Sequence, residues 1–342
     1  MSWIGRFFAA RRPGSDAHGS VERALLASLS GDADAAEAEL STLGRERPAD
    51  VDVFRALALV WSRRGEFLRS IHLHQALLLR RDLPEGVRVC VLADLADDFR
   101  RAGFLKRALA AYEEVLIHEP RHARALAGLA ALLRTLRDHE RALEVVRRLG
   151  RVEGRDTREQ EADLHLAIAE AAHAEGRADA ARRSVKRALR LRPEYGPAFV
   201  LLGTLEAERG KDARALAAWC RAAELDPRCG SLVYPRLEAA FAAAGRTREI
   251  AAFLRGLLEK RPDDASARIA LARALAAWGE VDAAVAELRS GIERGGDVVA
   301  SRAELCRLLL EAGRDGDLRE PLRSLLDALE HASPPRALET SA

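Results

Sequence analysis

Glycine recurs along this chain at turn-like positions with a nearly constant step: Gly31, Gly65, Gly103, Gly176, Gly210, Gly245, Gly279 and Gly313. Arg137 fills the one place that the series skips. The successive steps are 34, 38, 34, 39, 34, 35, 34 and 34 residues. Seventeen residues after five of these glycines comes a proline, at Pro48, Pro120, Pro193, Pro227 and Pro262, and Gly296 takes the same place in a later unit. Self-similarity at such a period means one supersecondary unit stacked many times. Glycine tolerates positive φ and so lets the chain turn between two antiparallel helices. Proline cannot continue a helix, so it closes the second helix and opens the next unit. Between these marks apolar residues recur every three or four positions, with no strand-like alternation.

Small residues recur where two helices of a unit must touch. First helices carry Ala24, Ala58, Ala96, Ala130, Ala169, Gly203, Ala272 and Cys306. Second helices carry Ala36, Ala108, Ala142, Ala181, Ala215 and Ala284, each followed four residues later by a larger one, such as Leu40, Tyr112 or Trp219. Small opposite large is how adjacent helices interdigitate without voids. Length, glycine, proline and small positions together resemble the tetratricopeptide repeat, from Ala17 to His331. The resemblance implies an all-α, right-handed superhelical solenoid of about nine helical hairpins, its concave face lined mostly by first helices.

The chain divides accordingly into an N-terminal segment (1–16), a repeat array (17–331) and a tail (332–342) whose prolines and small polar residues predict disorder. Two joints run long, at 80–88 (RRDLPEGVR) and 150–160 (GRVEGRDTREQ). Two readings of them stand: surface insertion, which loops tolerate, or a bend that shapes a binding surface. Charge excludes more than it suggests. With 55 basic and 53 acidic residues the net charge is +2, which gives no reason to expect a nucleic-acid partner. Cys90, Cys220, Cys229 and Cys306 form no C-x-x-C pair and are too few for a disulfide framework, so they read as reduced thiols. No stretch approaches the roughly 20 apolar residues of a membrane-spanning helix, and MSWIGRFFAARR lacks the apolar run of a secretory signal. The expectation is a cytoplasmic protein, peripheral on a membrane surface if it touches one at all.

Candidate chemistry resolves mostly into packing. His72 and His74 are two residues apart, which sends them to opposite sides of a helix, whereas metal ligands on one face need a spacing of three or four. His74 falls in the slot that Tyr112 and Trp219 fill elsewhere and is expected to be packed and hydrogen-bonded, with His72 outside. Pro120 interrupts the helix between His118 and His122. There is no G-x-S-x-G, phosphate loop or H-E-x-x-H motif. No catalytic residue, cofactor site or metal site is therefore assigned, and no enzyme activity is expected.

Arginine placement carries more information. Concave positions of the early first helices hold Arg55, Arg63, Arg100, Arg101, Arg124 and Arg134, while later ones hold Leu166, Val200, Ala207, Ile269 and Ala276. Two readings stand here as well. A basic early groove clamps carboxylates of a partner chain through bidentate guanidinium forks. Alternatively the face is solvated and balanced by Asp52, Asp94, Asp97 and Asp98.

A narrower resemblance lies in RRGEFLRSIHLHQALLLRRDLP and the following LADLADDFRRAGFLKRALAAYEEVL. The features that carry it are Arg64-Gly65-Glu66, Ser70 to Gln75, the insertion Asp82-Leu83-Pro84, then Leu95, Asp98, Phe99, Ala102-Gly103 and Arg107-Ala108. This region is similar to the lipopolysaccharide assembly protein B family of Gram-negative bacteria, over residues 50–330 and most specifically 63–108. The resemblance implies a non-enzymatic adaptor in the regulation of lipopolysaccharide synthesis. Its implied partners are the committed-step deacetylase of lipid A synthesis and a membrane-bound AAA protease. The family also has an N-terminal spanning helix and a C-terminal rubredoxin-like zinc knuckle with two C-x-x-C pairs. The expectation for this chain is an array lacking both. The alternative is a general scaffold for another multiprotein complex.

At the N-terminus, Trp3, Ile4, Phe7 and Phe8 fall within one arc of a helix, with Arg6, Arg11 and Arg12 beside it. That pattern fits an interfacial membrane anchor, and it equally fits a frayed tail or a helix packed on the first repeat. Flotation with anionic liposomes separates the two. An anchor predicts that removing residues 1–12 abolishes co-flotation; equal flotation with and without them eliminates it.

Overall fold

The computed structural model describes residues 16–295 and 298–332. The described residues form eighteen α-helices and no strand. Contacts divide the chain into two compact units, Met1–Leu164 and His165–Ala342. The first contains four hairpins: α1 (Asp16–Leu29) with α2 (Ala33–Glu46), α3 (Val51–Arg63) with α4 (Phe67–Leu78), α5 (Glu85–Arg101) with α6 (Leu105–His118), and α7 (Ala123–Thr135) with α8 (His139–Glu153). The boundary falls within α9 (Arg158–Ala174), which pairs with α10 (Ala178–Leu191). The second unit continues with α11 (Gly196–Ala207) and α12 (Asp212–Leu225), α13 (Pro227–Ala243) and α14 (Thr247–Lys260), α15 (Ala265–Ala277) and α16 (Val281–Glu293), and α17 (Val298–Glu311) and α18 (Asp315–Ala332). The expected segments 1–16 and 332–342 lie outside the described residues, except Asp16, which begins α1, and Ala332, which ends α18.

Each first helix stops in the same way. The residue of the glycine series has positive φ, and the N–H of the next residue returns to the carbonyl five positions earlier. Glu66 N–H donates to Trp61 O at 2.9 Å, Phe104 to Phe99 at 2.8 Å, Lys211 to Glu206 at 2.9 Å, and Arg314 to Leu309 at 2.9 Å. These are Schellman closures, which satisfy carbonyls left open at a helix end. Arg137 makes the same closure, with φ 59° and Asp138 N–H to Leu133 O at 2.9 Å. It is the one non-glycine residue with positive φ among the described residues. Asp50, Asp138 and Asp264 begin α3, α8 and α15 by accepting backbone N–H groups of the first turn.

The small and large positions meet as expected. Ala24, Ala36, Ala58, Ala108, Ala142, Ala181 and Ala284 are buried, as are Leu40, Tyr112, Trp219 and Leu288. The fit is tightest at Gly203, where an added Cβ would lie 2.3 Å from the Trp219 indole, and at Gly128, where it would lie 2.4 Å from the Tyr112 ring. In the first unit the core begins with Val21, Leu25, Leu40, Val53 and Leu57. In the second it runs through Leu166, Val185 and Leu205, and separately from Trp219 through Leu237, Leu254 and Leu271 to Leu309.

Both long joints turn out to lengthen helices. α5 and α9 each have 17 residues, against 13 in α3 and α7. The extra residues of the first joint are held in place: Leu83 is buried, and Arg88 donates to Leu78 O at 2.8 Å and Arg80 O at 3.0 Å. At the second, Gly154 ends α8 with φ 65°, and Thr157 packs where a side chain on Gly150 would stand.

An L-residue in the left-handed region costs roughly 1–2 kcal/mol that glycine avoids. Arg137→Gly is therefore expected to raise stability by about 1 kcal/mol after the greater freedom of the unfolded glycine is subtracted. Thermal or urea unfolding measures it; an unchanged or lower stability would contradict the account of this turn.

Candidate protein-binding face and its buried support

On α5, Asp94 and Asp98 are four residues apart and so share one face. Both are buried, each with 2% exposure. An ionised carboxylate is costly to bury unless opposite charge and hydrogen bonds compensate. Asp94 has both. Arg55 on α3 donates to its Oδ2 at 3.1 Å, and Arg124 on α7 donates to its Oδ1. Burial alone would raise the Asp94 carboxyl; Arg124 and then Arg55 override it and hold it at about 2. One carboxylate thus ties three successive hairpins together.

Asp98 is satisfied differently. Ser62 on α3 donates to Oδ1 at 2.5 Å. Ser70 on α4 donates to Oδ2 and also approaches Ala58 O at 2.8 Å. His74 Nδ1 lies 3.0 Å from the same Oδ2. Serine, histidine and aspartate together raise the question of a catalytic triad, and the geometry answers it. In a triad the serine meets one ring nitrogen and the carboxylate the other. Here both lie on the Nδ1 side, Nε2 is buried without a hydrogen-bond partner, and Ser70 and His74 have no exposed surface. The group is packing, as the aromatic slot of His74 predicts, and His72 is exposed.

A third carboxylate, Asp97, faces α6, the second helix of its own hairpin. Tyr112 donates its hydroxyl to Asp97 Oδ1, and Arg100 Nε donates to the Tyr112 oxygen at 3.3 Å. Burial and then the Asp97 charge push the Tyr112 phenol upward. Arg124 Nε also lies 3.6 Å from Asp97 Oδ2.

The six arginines expected to line a groove therefore separate. Arg55 is buried and Arg124 is half-buried, both on Asp94. Arg100 is half-buried at Tyr112 and Asp97. Arg101 is exposed and reaches Ser62 Oγ at 3.3 Å. Arg63 and Arg134 are exposed near the ends of α3 and α7, with no carboxylate in ion-pairing range among the described residues. The solvated balance of charge does not describe Asp94 and Asp98, whose partners take them out of water. Their signal in the sequence was a pair of aspartates spaced by four within the apolar run Leu92-Ala93-Leu95-Ala96.

The remaining sequence candidates are simply placed. Among the described residues no group of three or more His, Cys, Asp or Glu is arranged to hold a metal. His118 pairs with Glu85 at 2.9 Å, and His122 caps α7 by accepting Ala125 N–H at 3.1 Å. Cys229 and Cys306 are buried, Cys90 and Cys220 partly so, and burial pushes the Cys220 thiol up to about 11. No described helix is long and apolar enough to cross a membrane. Trp3, Ile4, Phe7 and Phe8 lie outside the described residues.

Tetratricopeptide repeat models match residues 93–156 and 160–228, and a second such model matches 241–303. Together these cover more than half of the chain. It belongs to the tetratricopeptide repeat family. The repeat protein is 23% identical over 251 residues to lipopolysaccharide assembly protein B of Escherichia coli K12, and the same holds for the O157:H7 strain. The match covers 73% of this chain and 64% of the relative, so it spans less than two thirds of the relative's length. Among solved structures it is similar to a tetratricopeptide repeat protein from Parabacteroides merdae, with TM-score 0.41 and 17% identity over 87% of this chain and all of that one. MamA from Desulfovibrio magneticus gives TM-score 0.36 and 17% identity, over 51% of this chain and 93% of that one.

Because the native Asp94 carboxyl lies below its ordinary value, its ionised form contributes stability above about pH 4 that is lost as pH falls toward 2. The contribution is about 2 kcal/mol. Asp94→Asn should lower stability at neutral pH by about 3 kcal/mol, since a buried guanidinium then faces an amide. The gap between wild type and variant should narrow below pH 4. Urea unfolding from pH 2 to 6 measures it, and parallel profiles for the two proteins would contradict the assignment.

Proposed function

We propose that this repeat protein is a non-enzymatic adaptor that holds a protein partner on the first-helix face of its early hairpins. The observation that carries the reading is the division of labour among the arginines. Asp94, Asp97 and Asp98 engage Arg55, Arg124 and Arg100 or brace the helices around them, while Arg63 and Arg134 stay exposed and unpaired and Arg101 stays exposed. A rigid support beneath free guanidiniums suits recognition of carboxylates, because the fork is pre-organised and loses little freedom on binding. Exposed guanidiniums already paired within the chain would offer little to a partner.

The setting we infer is control of lipopolysaccharide synthesis at the cytoplasmic face of the inner membrane. A lipid A pathway deacetylase and a membrane AAA protease are the proposed partners. Similarity to lipopolysaccharide assembly protein B over 73% of the chain supports this setting. The buried groups of α4 and α5 give a physical reason for the residues on which the resemblance is most specific: Ser70, His74 and Asp98 are one hydrogen-bonded cluster. A general scaffold for another complex is the second reading, favoured by family models that match the repeats alone.

Affinity purification from the native host tests both. The double variant Arg63→Glu/Arg134→Glu should lower recovery of the bound chain by about tenfold with helicity unchanged. Undiminished recovery would sink the arginine face. Enrichment of neither a deacetylase nor an AAA protease would favour the general scaffold.

A further inference from the structure

A groove of 730 Å³ opens in the second unit between α13, α15 and α17, the first helices of the last three hairpins. Small side chains line it, with the buried Ala274 as its floor and the exposed Ala239, Ala242 and Ala277 along its sides. Its wall is charged. Arg273 grips Glu304 with two parallel bonds, Nε to Oε1 and Nη2 to Oε2, both 2.8 Å. Arg307 donates to Glu304 as well and reaches Glu311 with its other nitrogen. Burial alone would raise the Glu304 carboxyl; hydrogen bonds from Arg273 and Arg307 override it and hold it at about 2. Glu238 stands on the same groove wall, and its Oε1 is buried without a hydrogen-bond partner. Three carboxylates thus face two guanidiniums, and the two guanidiniums are already engaged by Glu304 and Glu311.

We propose that this groove binds a segment of a partner protein through one lysine or arginine side chain. The aliphatic stem lies along the lining alanines and the cationic head donates to Glu238 Oε1. Each part matches a feature of the groove. Small lining residues leave room for a stem of several methylenes, which long basic side chains bury while directing the charge to a polar end. A buried acceptor without a donor is unfavourable, and an incoming N–H removes that penalty. One added cation balances the one carboxylate in excess, whereas an acidic segment would bring a further negative charge to guanidiniums that are not free. Burial pushes the Glu238 carboxyl above its ordinary value, with Arg273 opposing, and a cation at Oε1 would draw it back. The inference rests on the adaptor reading and assigns the second unit a chemistry opposite to the exposed arginines of the first. The sequence pattern hid it, because the later first-helix positions singled out there, Ile269 and Ala276 among them, are apolar.

Selection of random 15-residue displayed peptides on the full chain, repeated on Glu238→Gln, tests the proposal. Peptides enriched on wild type and lost on the variant should share one lysine or arginine beside apolar residues. In fluorescence titrations, Glu238→Gln and replacement of that lysine by norleucine should each weaken binding by about tenfold. The double change should weaken it no further, because both remove the same contact. Ala277→Trp, which fills the groove from an exposed position, should also block binding, and circular dichroism and melting confirm that each variant is folded. The proposal is overturned if the enriched peptides are acidic, if they bind wild type and Glu238→Gln equally, or if no enriched peptide depends on Glu238. If such a failure coincides with loss of host partners on reversal at Arg63 and Arg134, the groove assignment falls and the adaptor reading stands. If neither responds, both fall.

Discussion

Every hairpin in this protein depends on one residue that adopts positive φ at the end of a first helix. That single backbone state reverses the chain, closes the helix with a bond to the carbonyl five residues back, and aims the second helix down the first. Once the reversal is set, alanine or glycine on one helix meets a larger side chain on its neighbour, as Gly203 meets Trp219 and Gly128 meets Tyr112. The stack repeats because the turn and this packing repeat together. Arg137 shows how strong the constraint is, since the backbone takes the left-handed conformation even without a glycine.

Onto this regular frame the third hairpin adds something that, among the described residues, the others in the first unit lack. α5 carries two buried aspartates on the face where an ordinary repeat has apolar residues. Ion pairs from α3 and α7 hold one, and hydroxyl and imidazole groups from α3 and α4 hold the other. Such groups are costly if mismatched, so they favour one arrangement of neighbouring hairpins over its alternatives. The four extra residues of α5 belong to the same construction: they lengthen the helix by about one turn, and Leu83 and Arg88 fasten its start to the end of α4. The proposed arginine face stands beside this fastening.

Much of this was legible from the residues alone, because it depends on local rules. Glycine spacing marks the turns, three-and-four periodicity marks the helices, and small-large alternation marks the contacts. The slot of His74 follows from its register with Tyr112 and Trp219, and the structure buries it there. What stayed hidden depends on partners far apart in the chain. Asp94 reads as a solvated counterion until Arg55 and Arg124 close around it from other hairpins. The long joints read as loops because their charge and glycine content say nothing of Leu83 entering the core or of Thr157 packing on Gly150. In the second unit, Arg307 meets Glu304 and Glu311 at ordinary helical spacing, but nothing local shows that Glu304 also takes Arg273 from another hairpin while Glu238 keeps an open acceptor.

The two units thus offer different chemistry on the same kind of frame, exposed guanidiniums in one and an open carboxylate in the other. For the first, the proposed face is only as rigid as the buried tie at Asp94. Native-state hydrogen exchange as a function of urea reads that tie directly. Core amides of α3, α5 and α7, such as those of Ala58, Leu95 and Leu129, should exchange through one shared opening with a common free energy and urea slope. Separate openings, with α3 exchanging at a lower free energy and shallower slope than α5, would mean that the buried carboxylate does not bind the hairpins into a unit.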